Sequence, residues 1–364
     1  MKVRQSSYSV NNGAILLIIF TVLLTGLHGL FSLISLMIIS RIDIGRDPKE
    51  KHGVSSGTSR LGGLAIIFSL LSGIFLNLYI SDNLNYKNLI SELNIVLFFS
   101  ILVGLVGLVE DFKQNLSSSL RLFLVTSIIL ICFNIMPSLL PDKLNFLANI
   151  DESAREVSLY LFTTIMVVGF INAGNIADGA NGLLSLSYLA FFYCMYSIDP
   201  SISNLSLIIS LVIFIIYNTG TGRIFLGDFG AYFLSALVAY TSLEVYQKYE
   251  ISVFFFASIL VYPCFEITRS VVFRILNKVS VMSPDNNHLH NKLNNYFLNS
   301  SLNPHQSNSM TGIFLAFISS SLPTYLCING VNLSNDLWFG LFIFEFLVLS
   351  SIYLFLSKIN LKKI

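Results

Sequence analysis

At 364 residues, with 54% hydrophobic and only 11% charged side chains, the chain lies outside the composition of soluble domains and requires repeated membrane spans. A net charge of +1 excludes a general polyanion such as nucleic acid as partner. The four cysteines (Cys132, Cys194, Cys264, Cys327) are far apart inside apolar runs, which excludes a metal knuckle and leaves them as small packing residues.

Apolar runs of spanning length occur at 13–40, 62–80, 94–108, 122–140, 157–171, 183–198, 203–218, 231–246, 253–276, 309–328 and 337–357. They predict an all-α polytopic membrane protein of about eleven transmembrane helices, forming a single integral-membrane domain over 1–364. Lys2 and Arg4 precede the first run as in a signal peptide. That run is too long for a cleaved segment and no small-residue cleavage pattern follows, so it reads as a helix.

Alternate connectors must lie on opposite sides of the bilayer. One set comprises 41–61, 109–121, 172–182, 219–230, the end of the ninth run with its loop (269–308, the loop being 277–308) and the tail. It holds 15 Lys and Arg against 6 in the other set. The positive-inside bias therefore places this set and the C-terminus in the cytoplasm and the N-terminus outside. All the unusual polar motifs fall in it, which predicts one site on one membrane face.

The first of these connectors carries Lys49, Lys51, His52 and Arg60, followed by Gly62-Gly63. Either it is only a positively charged loop, or it is an anion site where glycine amides approach a phosphate at a helix N-terminus. In the second, Glu110-Asp111 sits at the end of an apolar helix, where the helix dipole disfavours carboxylates. Something cationic must compensate, either Mg²⁺ or Lys113 and Arg121.

The third connector, Asn172-Ala-Gly-Asn175-Ile-Ala-Asp178-Gly179-Ala-Asn181-Gly182, repeats polar groups at three-residue spacing, so a helical turn would put them on one face. Caps explain one or two such side chains; the series as a whole suits a hard cation or a sugar phosphate. Asp228, between Gly227 and Gly230, is an N-cap or a carboxylate ligand for Mg²⁺. The fifth connector holds His288-Leu289-His290 and Lys292. No cysteine or third histidine lies at zinc-site spacing, which favours donors to a diphosphate or nucleotide.

From Asp47 to about Lys292, the order of motifs resembles the polyprenyl-phosphate N-acetylhexosamine-1-phosphate transferases. The resemblance rests on Asn172-x-x-Asn175-x-x-Asp178-Gly179-x-x-Gly182-Leu183, Gly227-Asp228-x-Gly230 and His288-Leu289-His290. Three departures stand out. The family's acidic pair is commonly Asp-Asp but here is Glu110-Asp111; its third acid falls on Gln114; and Asn291 replaces a further histidine.

The resemblance implies transfer of an N-acetylhexosamine 1-phosphate from a UDP-sugar to polyprenyl phosphate, with release of UMP. The setting it implies is the bacterial plasma membrane, as the first membrane step of a cell-envelope polysaccharide. It implies catalytic Glu110, Asp111 and Asp228, and a Mg²⁺ (with Mn²⁺ as substitute) held by Asp228, Asn175 and Asp111. Substrate contacts fall to Asn172, Asn175, Asp178, Lys49, His52, Arg60, Lys113, Arg121, His288 and His290, and a homodimer is compatible. The alternative from another class is a multispan transporter of a sugar or phosphorylated substrate. Transporters gather polar groups at the bilayer midplane and often show repeated halves, whereas here the polar groups gather at one face.

Overall fold

The computed structural model describes residues 12–42, 44–46, 57–81, 85–113, 115–142, 152–280, 283, 285–300, 302–331 and 333–361. Fourteen α-helices run through them in the order α1 (Asn12–Ile39), α2 (Gly62–Ile80), α3 (Tyr86–Glu92), α4 (Ile95–Lys113), α5 (Ser118–Ile135), α6 (Glu152–Ala177) and α7 (Leu183–Ile198). Then come α8 (Ile202–Thr221), α9 (Gly227–Tyr249), α10 (Val253–Ile259), α11 (Val261–Leu276), α12 (Leu289–Leu298), α13 (Pro304–Ile328) and α14 (Asn335–Leu361). No strand forms among the described residues; the only bridges are isolated ones, Arg46 with Ser59 and Ser59 with Ile224.

Each expected span coincides with a helix, and the ninth is broken. A bend of 84° at Leu260 separates α10 from α11. Seven described helices are long and apolar enough to cross a membrane, or eight if the bent pair is one crossing. The expected eleven are not reached on that measure. α7 is only 16 residues, α1 is kinked at Gly26 and leaves Thr25–Ile39 as a short apolar piece, and α9 interleaves Tyr, Ser, Glu and Gln with its apolar residues.

α9 is the axis of the bundle. Phe229, Phe233, Ala236 and Tyr240 are buried along it, and it packs on α4, α6 and α2. Helices run back and forth around it, so sequence-distant connectors meet at its N-terminal end. At the other end Gln247 donates to the Ser138 and Leu140 carbonyls, and Lys248 pairs with Asp199 at 2.8 Å. A cavity of about 570 Å³ there, walled in part by Asp199, Glu244 and Lys248, contains none of the predicted site residues.

Burial of polar groups away from the site is handled locally. His28 Nε2 lies 3.0 Å from the Ser69 carbonyl, within a cluster of Ser32, Ser69 and Ser210 that joins α1, α2 and α8. Such side-chain bonds fasten helices that gain no hydrophobic drive from one another in lipid.

Candidate active site

Main-chain contacts bring the connectors together. The amide of Gly62 donates to the Phe225 carbonyl at 2.9 Å, and that of Gly63 to the Leu226 carbonyl at 2.8 Å. A Cβ on Gly63 would collide with the Cα of Gly230, so only paired glycines let α2 and α9 approach this closely. The expectation that the Gly62-Gly63 amides receive a phosphate is therefore corrected. Carbonyls more than 160 residues away in sequence already occupy them. Gly227 takes φ +78°, a left-handed turn that starts α9 under the Arg60 carbonyl.

The start of α9 is capped from another helix. Asp111, fully buried near the end of α4, accepts the Asp228 amide on Oδ1 at 3.0 Å and the Phe229 amide on Oδ2 at 2.8 Å. These amides are among the orphan donors of a helix N-terminus, where a carboxylate is doubly suited by hydrogen bonding and by the dipole. Arg60, also buried, reaches Asp111 Oδ1 at 3.2 Å and Asp228 Oδ1 at 2.9 Å. Arg121 comes within 3.4 Å of Asp228 Oδ2. Glu110 is buried beside this group and accepts the Leu116 amide at 2.9 Å, so it shapes the turn that presents Arg121.

Asp178 follows the last turn of α6, whose C-terminus carries the partial negative charge of the helix. Its half-buried carboxyl is pushed up to about 8, by burial first, then by the like charges of Asp228 and Asp111, against the opposing pull of Arg60. The neutral form is thus favoured, and folding stability from this group falls as pH rises through about 8. Asn175 stands one turn earlier and is half-buried. Asn172 bonds back to the Val168 carbonyl at 2.8 Å. Both asparagines lie within α6, not in a loop.

The histidines form the opposite wall. His288 and His290 stack with ring centroids 5.1 Å apart. His290 is buried with its Nδ1 3.0 Å from the Tyr262 hydroxyl, and its ring abuts Gly179, where a Cβ would collide with it. This contact ties the histidine wall to the Asp178 turn. The same turn is held from α13, since Asn308 accepts the Asn181 amide at 2.7 Å.

Glu266 organises that wall, although the sequence had given it no role. It lies on α11, fully buried, and takes the Leu289 amide at 2.6 Å, His288 Nδ1 at 2.9 Å, the Tyr262 hydroxyl at 3.2 Å and Arg269 Nε at 3.3 Å. Arg269 in turn reaches Asp285 at 2.8 Å. The available signal was the pair Glu266-x-x-Arg269 on one helical face within an apolar run. Replacing Glu266 by glutamine keeps the shape but strips the anion from Arg269 and His288. A loss of about 3 kcal/mol is expected, read as a lower unfolding midpoint together with a raised KM for the soluble substrate.

Of the predicted residues, Arg60, Glu110, Asp111, Arg121, Asp178, Asp228, His288 and His290 come together. Asn175 flanks them, while Asn172 turns back on its own helix. Lys113 is exposed at the end of α4, and no ion pair joins it to the cluster. Lys49 and His52, with Gln114, lie outside the described residues.

Among the described residues, no three His, Cys, Asp or Glu side chains form a cage that could hold a metal ion unaided. The donor set nevertheless fits a hard divalent cation. Four carboxylates (Glu110, Asp111, Asp178, Asp228) gather beside two guanidiniums (Arg60, Arg121), with Asp178 raised by burial first and by its acidic neighbours second. Mg²⁺ characteristically takes one or two carboxylates and completes its shell with substrate phosphates and water. Of the expected ligands Asp228, Asn175 and Asp111, the first two carry oxygens of the type such an ion takes, whereas both Asp111 oxygens already accept amides of α9.

Residues 93–246 match the model of glycosyl transferase family 4. A phospho-N-acetylmuramoyl-pentapeptide-transferase of Staphylococcus carnosus is 28% identical over 278 residues, covering 69% of this chain and 83% of the relative. A Bacillus subtilis protein named probable undecaprenyl-phosphate N-acetylglucosaminyl 1-phosphate transferase is 26% identical over 300 residues, 80% of this chain and 77% of the relative. A further phospho-N-acetylmuramoyl-pentapeptide-transferase, from Enterococcus faecalis, is 27% identical over 259 residues, 65% and 77% of the two chains.

Proposed function

We propose that this chain belongs to glycosyl transferase family 4 and moves an N-acetylhexosamine 1-phosphate from a UDP-sugar to polyprenyl phosphate, releasing UMP. In this reading α1, α7 and α9 complete a set of eleven crossings. The N-terminus is outside and the active site faces the cytoplasm of a bacterial plasma membrane. The reaction opens the membrane stage of a cell-envelope polysaccharide. The observation that carries the reading is the Arg60–Asp111–Asp228–Arg121 cluster, set at one end of an apolar bundle beside Asp178 and the two histidines.

Phosphoryl transfer between two anions needs positioning and charge neutralisation more than covalent help from the protein. Arg60 and Arg121 supply fixed positive charge, and His288 and His290 offer ring nitrogens to the nucleotide side. A divalent cation bound at Asp228 and Asn175 would neutralise the diphosphate and polarise the phosphorus under attack. Asp111 is a positioning residue, because both its oxygens accept amides of the turn that carries Asp228. The lipid phosphate, with a second pKa of about 6, is itself ionised near neutrality and can attack directly. Its hydrocarbon tail remains among the apolar helices, which is why a reaction with one soluble substrate requires a membrane body.

N-acetylmuramoyl-pentapeptide, the substrate in the names of two relatives, is the second reading. Asn291, standing where a further histidine is frequent, favours the simpler sugar. The deciding measurement is UMP release by purified protein offered a panel of UDP-sugars with polyprenyl phosphate. Release should require the lipid and one class of sugar, stop with EDTA and return with Mg²⁺ or Mn²⁺. UMP formed equally well without lipid, or none with any sugar while vesicles take up the intact substrate, would exclude the transferase.

A further inference from the structure

α7 and α13 lie side by side, and the ends nearest the active site grip the Asp178 turn. There Asn308 accepts the Asn181 amide at 2.7 Å, and Ser309 donates to the Thr219 carbonyl at 3.0 Å. At the remote ends of the same two helices two cysteines meet. Cys194 is fully buried one turn before the end of α7, and Cys327 is half-buried at the end of α13. The two thiols lie against one another, each in the electrostatic reach of its partner. Ser197 fixes the contact, with its hydroxyl 2.7 Å from the Cys194 carbonyl and 3.9 Å from Cys327 Sγ. Cys132 sits on α5 and Cys264 on α11.

We propose that Cys194 and Cys327 are a disulfide-forming pair that clamps α7 to α13 on the membrane face opposite the active site. The inference rests on the proposed orientation, which puts these helix ends outside the cytoplasm, where disulfides persist. One serine, Ser197, touches both cysteines, so the two sulfurs can be drawn together to the bond length of about 2.05 Å.

The chemistry balances with a disulfide-bearing oxidant as co-reactant. The better exposed Cys327 thiolate attacks one sulfur of the oxidant, forming a mixed disulfide and expelling one thiolate. Cys194, buried behind it, then attacks Cys327 Sγ and expels the second. The pair loses two electrons and two protons, and the oxidant leaves as two thiols. Closing so long a loop restricts the unfolded chain. It also stiffens the two helices that hold the Asp178 turn at their far ends.

The test uses the full chain, taken from membranes into acidic denaturant with a thiol-blocking maleimide and read by peptide mass. Two blocked cysteines, Cys132 and Cys264, and a Cys194–Cys327 linked peptide that only reductant releases are expected. Reduction should also lower the unfolding midpoint by several degrees, and a Cys327→Ser variant should show the lower midpoint with or without reductant. Four blocked thiols before reduction would overturn the proposal. An Asn329→Cys variant in a Cys194→Ser, Cys327→Ser background separates the causes. Free thiols in the native protein, with Asn329→Cys tagged on intact cells by an impermeant maleimide, reject the bond alone. Free thiols with no tagging reject the sidedness as well.

Discussion

Asp228→Ala should lower transfer of labelled phosphosugar by about 10³-fold or more, with the unfolding midpoint nearly unchanged. Asp228 stands in the first turn of α9 at a partly exposed position, so its side chain is not needed to fill the core. Its two oxygens are engaged by Arg60 and Arg121. Removing it leaves Arg60 still paired with Asp111, which is why the fold should survive. Activity of the alanine variant within tenfold of the parent, at matched folded amounts, would show that the chemistry is centred elsewhere.

Asp111→Ala has the other large expected effect, and it is of a different kind. The substitution leaves two amides of α9 without their acceptor and Arg60 Nη2 with Asp228 alone. A loss of about 3–5 kcal/mol follows, enough to unfold many single domains. Asp111→Asn is the informative companion. It keeps one carbonyl oxygen for an amide but turns an NH₂ toward the other and loses the charge opposite Arg60. If Asp111 positions Asp228, the asparagine variant loses stability and activity together, and a stabilising ligand or lower temperature restores part of both. A variant that melts like the parent yet is slowed by orders of magnitude would instead make Asp111 a direct participant.

The contrast between these two acids shows where the sequence could be read and where it could not. Apolar runs of spanning length foretold every long helix, because burial in lipid admits few other backbones. Alternation of connectors predicted that Arg60, Asp111, Asp178, Asp228 and His290 would share one end of the bundle, and they do. What escaped depends on contacts made across the chain. The Gly62 and Gly63 amides look free until Phe225 and Leu226 are seen to take them. Asp111 looks like an unpaired acid at an unfavourable helix end until the start of α9 supplies its donors. Glu266 reads as a lone acid in an apolar run, since its partners lie beyond a bend and a connector. The break at Leu260 had a cue in Pro263, which has no amide to give the Ile259 carbonyl; Ser320 takes that carbonyl instead.

The close packing of Gly63 on Gly230 has a bearing on how such a catalyst could diversify. Backbone resting on backbone leaves no side chain to enlarge, shrink or tilt, so Asp228 stands on something like bedrock. The wall built around Glu266 is assembled from exchangeable side chains and a short helix. A change of sugar preference would therefore be sought by redrawing residues 285–303, with the acidic end of α9 left as found.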